Sequence, residues 1–138
     1  MDTATDPTLI DSLNGSANRV AIIGATGYGG LQTIRLLRDH PFFTISFLGG
    51  NRSVGKQWNE ICPFLPLDGN PLIEKADPDL ISGRADYVVL SMPNGMASQI
   101  VPKLINNKVK VLDLSADYRY KDLDQWKQVY TKESKTYT

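Results

Sequence analysis

Three glycines at a fixed interval, Gly24, Gly27 and Gly30, are the residues of this chain best suited to a specific chemistry. They stand in the run Gly24-Ala25-Thr26-Gly27-Tyr28-Gly29-Gly30, directly after a short apolar stretch and at the opening of a helical pattern. The spacing is a relative of the fingerprint that holds dinucleotides rather than its commonest form. Gly24 permits a tight turn, Gly27 lets the backbone approach a pyrophosphate, and Gly30 lets helix and strand pack closely. The unpaired N–H groups of a helix start, here around Thr26 and Tyr28, add a partial positive charge that favours phosphate oxygens. The plainer alternative is a turn and nothing more.

A second cluster, Gly49-Gly50-Asn51-Arg52-Ser53, follows the next apolar run. A site for NAD(H) usually carries Asp or Glu there, to hold the ribose 2′-hydroxyl. Asn51 and Arg52 stand here instead. Arg52 can form a bidentate pair with a 2′-phosphate, and Ser53 can donate a further hydrogen bond. The position therefore favours NADP(H), against the alternative of a solvated surface arginine. Lys56 reads as solvated. The third cluster, Ser91-Met92-Pro93-Asn94-Gly95, and the fourth, Ser115-Ala116-Asp117-Tyr118-Arg119, each follow an apolar strand-like run. Open α/β sheets place their ligands at such ends. Asn94 either caps a helix or lends its backbone to the ribose or nicotinamide side, and the two are compatible. Asp117 and Arg119 either pair with each other or shape the floor of a substrate pocket, with Ser115 beside them.

The elements that must position these clusters are legible from periodicity. Arg19 to Ile23 has the length and branching of a buried strand, and Leu31 to Asp39 carries apolar residues at helical spacing before Pro41. Residues 42–48 form a second strand, closing a strand, glycine turn, helix and strand unit. The stretch from Asn51 to Gly83 is irregular, with four prolines and a helical turn at Asp79-Leu80-Ile81. Residues 87–91 and 110–114 are further strands, separated by a helix over 95–106 in which Pro102 should produce a kink. Near-continuous apolar strands alternating with helices predict an open, doubly wound, mostly parallel α/β sheet. Residues 1–18 read as a flexible leader, 19–130 as one dinucleotide-binding domain, and 131–138 as a polar tail.

Composition removes other classes. Fifteen basic and fifteen acidic residues in 138 give a net charge of zero, which offers no signal for nucleic acid or an anionic membrane as partner. One cysteine and one histidine leave a disulfide framework, a multi-cysteine zinc site or a Ser-His-Asp triad short of parts. Cys62, between Ile61 and Pro63, lacks a basic neighbour and reads as a packing residue rather than a nucleophile. His40 is expected to finish the first helix with its ring on the terminal carbonyls. Residues 1–18 hold three acids and no base, which fits neither a secretory nor a transit signal. No apolar run reaches the ~18 residues of a membrane span. A cytoplasmic protein is the expectation.

Taken together, the motifs resemble the N-terminal part of N-acetyl-gamma-glutamyl-phosphate reductases, from about Val20 to Tyr130. The marks are Gly24-Ala25-Thr26-Gly27-Tyr28, Arg38-Asp39-His40-Pro41, Asn51-Arg52-Ser53 with Gly55-Lys56, and above all Leu114-Ser115-Ala116-Asp117-Tyr118-Arg119. Pro93-Asn94-Gly95 stands where the family has Pro-His-Gly, a change that leaves a backbone role intact. The resemblance implies a Rossmann-like fold and an NADPH-dependent reduction of an acyl phosphate to a semialdehyde, in arginine biosynthesis. A cysteine thiolate attacks the acyl phosphate with help from a histidine, phosphate leaves, and hydride reduces the thioester. In the family both catalytic residues lie further along than Tyr130, so the resemblance implies no catalytic residue here and a chain that is half of a two-domain enzyme. It also implies association through the surface a second domain would cover, or with another copy. A module of the same fold that senses NADP(H) or binds a protein without catalysis is the alternative.

Overall fold

In the computed structural model, residues 18–115 and 117–134 are described. The expected leader, up to residue 17, and the last four residues of the expected tail lie outside them. The strands are β1 (Arg19–Ile23), β2 (Thr44–Gly50), β3 (Ile73–Lys75), β4 (Tyr87–Leu90) and β5 (Lys110–Asp113). The helices are α1 (Tyr28–Leu37), α2 (Trp58–Ile61), α3 (Pro78–Arg84), α4 (Ala97–Asn106) and α5 (Leu123–Ser134). All five strands pair in parallel, in the order β3-β2-β1-β4-β5. The expected doubly wound sheet is present. The order reverses between β1 and β4, which is where such sheets open a crevice for ligands.

Burial on both faces follows from the strand period of two. Val20, Ile22, Leu48 and Val89 point into one core with Ile34 of α1 and the buried Trp58, Cys62 and Ile73. Ala21, Ile23, Phe47, Val88 and Leu90 point into the other, against Ile81 of α3 and Val101 and Leu104 of α4. Between strands, Arg19 at the start of β1 pairs with Asp86 at 3.2 Å, and this guanidinium holds the Asp86 carboxyl below its ordinary range.

Several boundaries differ from the periodicity reading, each for a local reason. Helix α1 begins at Tyr28, three residues earlier than the first apolar repeat, because Gly27 serves as its N-cap. Helix α3 is a full seven residues: the Asp77 carboxylate accepts from Asp79 N–H at 2.9 Å and Pro78 occupies the first turn, where its missing N–H costs nothing. Strand β3 falls within the stretch expected to be irregular. Helix α4 continues through the exposed Pro102. Helix α5 was not expected; Asp122 accepts from Asp124 N–H at 2.9 Å at its start, and the helix runs past residue 130. The His40 ring does not meet the helix carbonyls. Its Nδ1 accepts from Phe42 N–H at 3.1 Å and the ring lies against Phe43 with centroids 5.1 Å apart, because the chain turns back at Pro41 into β2.

Candidate dinucleotide-binding site

The four clusters emerge from the C-terminal ends of β1, β2, β4 and β5, and because the strands are parallel these ends form one edge. The glycine turn is tied to its neighbours by backbone. Gly24 and Ala25 N–H both donate to Gly49 O of β2, at 2.9 and 3.2 Å, and Gly27 N–H donates to Gly24 O at 3.1 Å. The first bond of α1 runs from Leu31 N–H to Gly27 O at 2.8 Å, which leaves the first-turn N–H groups of Tyr28, Gly29 and Gly30 with no acceptor in the helix. Gly27 supplies no side-chain cap, and no acid lies in the first turn. An anion is the natural partner of such an end.

The three fingerprint glycines are there for different reasons. Gly24 has φ +79°, and a Cβ on it would stand 1.9 Å from Ser91 O. On Gly30 a Cβ would stand 2.1 Å from Gly24 O. On Gly27, by contrast, a Cβ would meet only Gly24 O, at 3.4 Å, so the fold itself leaves room there. The space over the free N–H groups is the cradle a dinucleotide pyrophosphate requires, and a side chain would occupy it. The residues present therefore fit the cofactor expected from the sequence.

Gly29 was not among the fingerprint residues, yet a Cβ there would lie 2.4 Å from Ser91 Oγ. Ser91 thus packs on the turn at both Gly24 and Gly29, joining the β4 cluster to the β1 cluster. The signal for Gly29 was its place one residue before Gly30. Gly49 is the other residue missed: its carbonyl gathers two N–H groups of the turn, a backbone role that no residue type announces.

Tyr28 is 93% exposed at the mouth of α1. Asn51 and Arg52 are exposed in the turn after β2, and Ser53, half-buried, gives its carbonyl to Lys56 N–H at 3.1 Å. Among the described residues no hydrogen bond joins Arg52 to the glycine turn; what links them is the shared strand edge. Met96, not Asn94, is the N-cap residue of α4, and it makes no side-chain cap. That service comes from the fourth cluster, where the Asp117 carboxylate accepts from Gly95 N–H and, at 2.9 Å, from Ser98 N–H. Asp117 N–H donates to Ser115 Oγ at 3.3 Å, and Ser115 N–H to Asp113 Oδ1 at 2.8 Å. Arg119 is exposed, and Ala116 is outside the described residues. Partial burial, with the Asp117 and Asp113 carboxylates close by, raises the Tyr118 phenol above its ordinary range.

Residues 19–134 match the family described as semialdehyde dehydrogenase, NAD binding domain. The chain belongs to this semialdehyde dehydrogenase family. Among curated relatives, an N-acetyl-gamma-glutamyl-phosphate reductase of Prochlorococcus marinus is 59% identical over 117 residues, 85% of this chain and 33% of that protein. One of Parasynechococcus marenigrum is 58% identical over 120 residues, 87% of this chain and 34% of that protein. The chain thus spans about a third of the length of the curated relatives it matches. Among solved structures, an aspartate semialdehyde dehydrogenase with NADP from Candida albicans superposes with TM-score 0.66 at 24% identity, over 77% of this chain and 32% of that one. A Rex-family repressor superposes with TM-score 0.58 at 18% identity, over 78% of this chain and 49% of that one. At these identities the likeness is one of fold. The family assignment accords with the strand order and with the open cradle at Gly27.

Cys62 is the one thiol of the chain, and it lies 4% exposed in the core that holds Trp58. Burial pushes it above its ordinary range, away from the thiolate form. In the native protein it is expected to resist Ellman's reagent and to react once urea unfolds the domain. Rapid native reaction would remove it from the core. No helix among the described residues is long and apolar enough to cross a membrane.

Proposed function

We propose that this chain is the NADP(H)-holding domain of a reductase that converts N-acetyl-gamma-glutamyl phosphate to its semialdehyde. The observation that carries the reading is the open, unpaired start of α1 at Gly27, set at the point where the strand order reverses. Backbone N–H groups from Thr26 to Gly30, those of Tyr28 and Gly30 among them, would receive the pyrophosphate in a turn that Gly24 and Gly27 shape. Asn51, Arg52 and Ser53 would hold the adenosine ribose, Arg52 through the 2′-phosphate. Ser91, Pro93, Asn94 and Gly95 would line the nicotinamide side. Ser115, Asp117 and Arg119 border the place where substrate would be read, with the Asp117 carboxylate already engaged. The cofactor supplies hydride; these residues bind it, orient it and exclude water. The thiol and base that the reaction also needs belong to the two thirds of the relatives' length that this chain does not span.

That larger part also accounts for an apolar groove of about 590 Å³ between α1 and the β4–β5 face, lined by Leu36, Leu37, Phe43, Val89, Leu112 and Leu114. Leu36 and Leu112 are 74% and 60% exposed there. A single-domain surface of this kind suits the remainder of a reductase polypeptide. A cytoplasmic setting, for a biosynthetic role, completes the reading.

The test is isothermal titration of the 138-residue chain with NADPH and NADH. NADPH is expected to bind more tightly. Arg52→Ala should weaken NADPH by about 1.5–3 kcal/mol, the worth of a charge-assisted contact, and leave NADH unchanged. An unchanged ratio of the two affinities removes Arg52 from the site, and absence of NADPH binding at millimolar concentration refutes the reading.

A further inference from the structure

Helices α1 and α4 follow β1 and β4, the two strands between which the sheet order reverses, and their starts are treated differently. At α1 there is neither a side-chain cap nor an acid in the first turn among the described residues. At α4, which has neither an acid in its first turn nor a side-chain cap of its own, the Asp117 carboxylate from the next crossover takes two N–H groups, those of Gly95 and Ser98. A carboxylate there neutralises the positive end of the helix. Of these two starts, that of α1 is the one left to attract the pyrophosphate.

The same contact fixes a loop. Residues 91–96 leave β4 with Ser91 packed on Gly24 and Gly29 of the phosphate turn. At the loop's far end stands Gly95, at φ +90° and with nothing within 4 Å of where its Cβ would be. Sterics alone do not hold Gly95; the bond to Asp117 does, together with Ser98 Oγ donating to Gly95 O at 3.1 Å. Asp117 is itself braced through Ser115 to Asp113, the last residue of β5, and Leu114 N–H donates to Leu90 O at 2.8 Å. The loop is therefore clamped at one end by the phosphate turn and at the other by β5.

We infer that Asp117 is a positioning residue for the nicotinamide half of the dinucleotide, acting through the Pro93-Asn94-Gly95 loop; this rests on the function proposed above. Sheet order separates the two halves of the site. Arg52 follows β2, on one side of β1, whereas the loop and Asp117 follow β4 and β5, on the other. Loss of Asp117 should disturb one half and spare the other.

The experiment compares NADPH with 2′,5′-ADP, the fragment that carries the 2′-phosphate but no nicotinamide, on the 138-residue chain. Wild type, Asp117→Asn and Asp117→Ala are titrated, and their thermal unfolding is recorded. Asp117→Ala is expected to lose on the order of tenfold in NADPH affinity, with 2′,5′-ADP held to within about twofold. Asp117→Asn, which keeps one acceptor, should fall between and carries the comparison if the alanine variant does not fold. A merely structural role would weaken both ligands alike in the folded variants, and that result overturns the inference, as does NADPH binding that does not change. Failure of wild type to bind 2′,5′-ADP overturns the proposed function and this inference with it.

Discussion

Gly24→Ala is expected to leave the chain largely unfolded, while Gly27→Ala folds as the wild type does and fails to hold the cofactor. The two positions stand three residues apart in one turn and differ in what surrounds them. At Gly24 the backbone has φ +79°, where an L-residue pays about 1–2 kcal/mol, and the new Cβ would stand 1.9 Å from the carbonyl oxygen of Ser91. That oxygen is backbone at the end of β4, held by Ser91 N–H donating to Ile23 O at 2.8 Å, so it does not swing aside. Strands β1 and β4 would have to part. Destabilisation above about 4 kcal/mol follows, a large share of the stability of an ordinary domain. At Gly27 the backbone is extended, with φ −78° and ψ 170°, and alanine fits it. Its nearest contact, 3.4 Å to Gly24 O, is an ordinary one. The loss of a favourable N-cap and the gain from a stiffer unfolded chain are both below about 1 kcal/mol and oppose each other. Urea midpoints should therefore separate Gly24→Ala from the other two proteins. NADPH titration should then show Gly27→Ala weakened by more than about tenfold, because the methyl occupies the approach to the N–H groups. Binding by Gly27→Ala at wild-type strength would mean that phosphate does not sit on this turn.

That contrast also marks what the sequence could and could not reveal. The interval Gly24, Gly27, Gly30 was legible because glycine is the one residue whose absence of side chain is its message. The division of labour among the three was not, since it depends on Ser91, which is 67 residues away from Gly24 and arrives through sheet pairing. The strands β1, β2 and β4 were legible because they are largely buried and read as continuous apolar runs; β5, with no fully buried residue, was legible from Val111, Leu112 and Leu114 alone. Strand β3 is only three residues long and sits at the edge, so no run exists to see. Helix α3 was undersold for a different reason: Asp77-Pro78 is a good cap and first-turn pair, but it lies in a stretch rich in proline. Asp117 is the sharpest case. Its neighbours in the motif point to Arg119 or a substrate, and nothing in them announces that its carboxylate serves the helix of the preceding crossover. A partner that distant is fixed by topology, not by spacing.

Trp58→Ala is expected to cost about 3–5 kcal/mol and to blur the preference for NADPH as well. Trp58 is fully buried, the largest side chain in its core, and its indole N–H donates to Leu65 O at 2.7 Å. Its backbone is committed too: its N–H donates to Pro71 O and its carbonyl accepts from Cys62 N–H, both at 2.8 Å. Asn59, the next residue, exchanges bonds of 2.8 and 3.2 Å with the backbone of Leu67. One aromatic ring therefore gathers a segment whose prolines give it no regular ladder of its own. The segment begins with the turn that carries Arg52, and that turn is stitched to β3 by Gly55 N–H to Ile73 O at 2.8 Å and Ile73 N–H to Lys56 O at 2.9 Å. Ile73 packs in the same core as Trp58. Removing the ring leaves a cavity beneath Ile73 and an unsatisfied Leu65 carbonyl, and the Arg52 turn loses the floor it is stitched to. Trp58→Phe separates the two effects. Phenylalanine restores most of the buried area but still orphans the carbonyl, at about 1–3 kcal/mol. Chemical denaturation should rank wild type above Trp58→Phe above Trp58→Ala. If the ratio of NADPH to NADH affinity falls in that same order, the core under β3 sets the position of Arg52. If stability falls and the ratio stays constant, the turn is held by its own backbone bonds and the core beneath it serves stability alone.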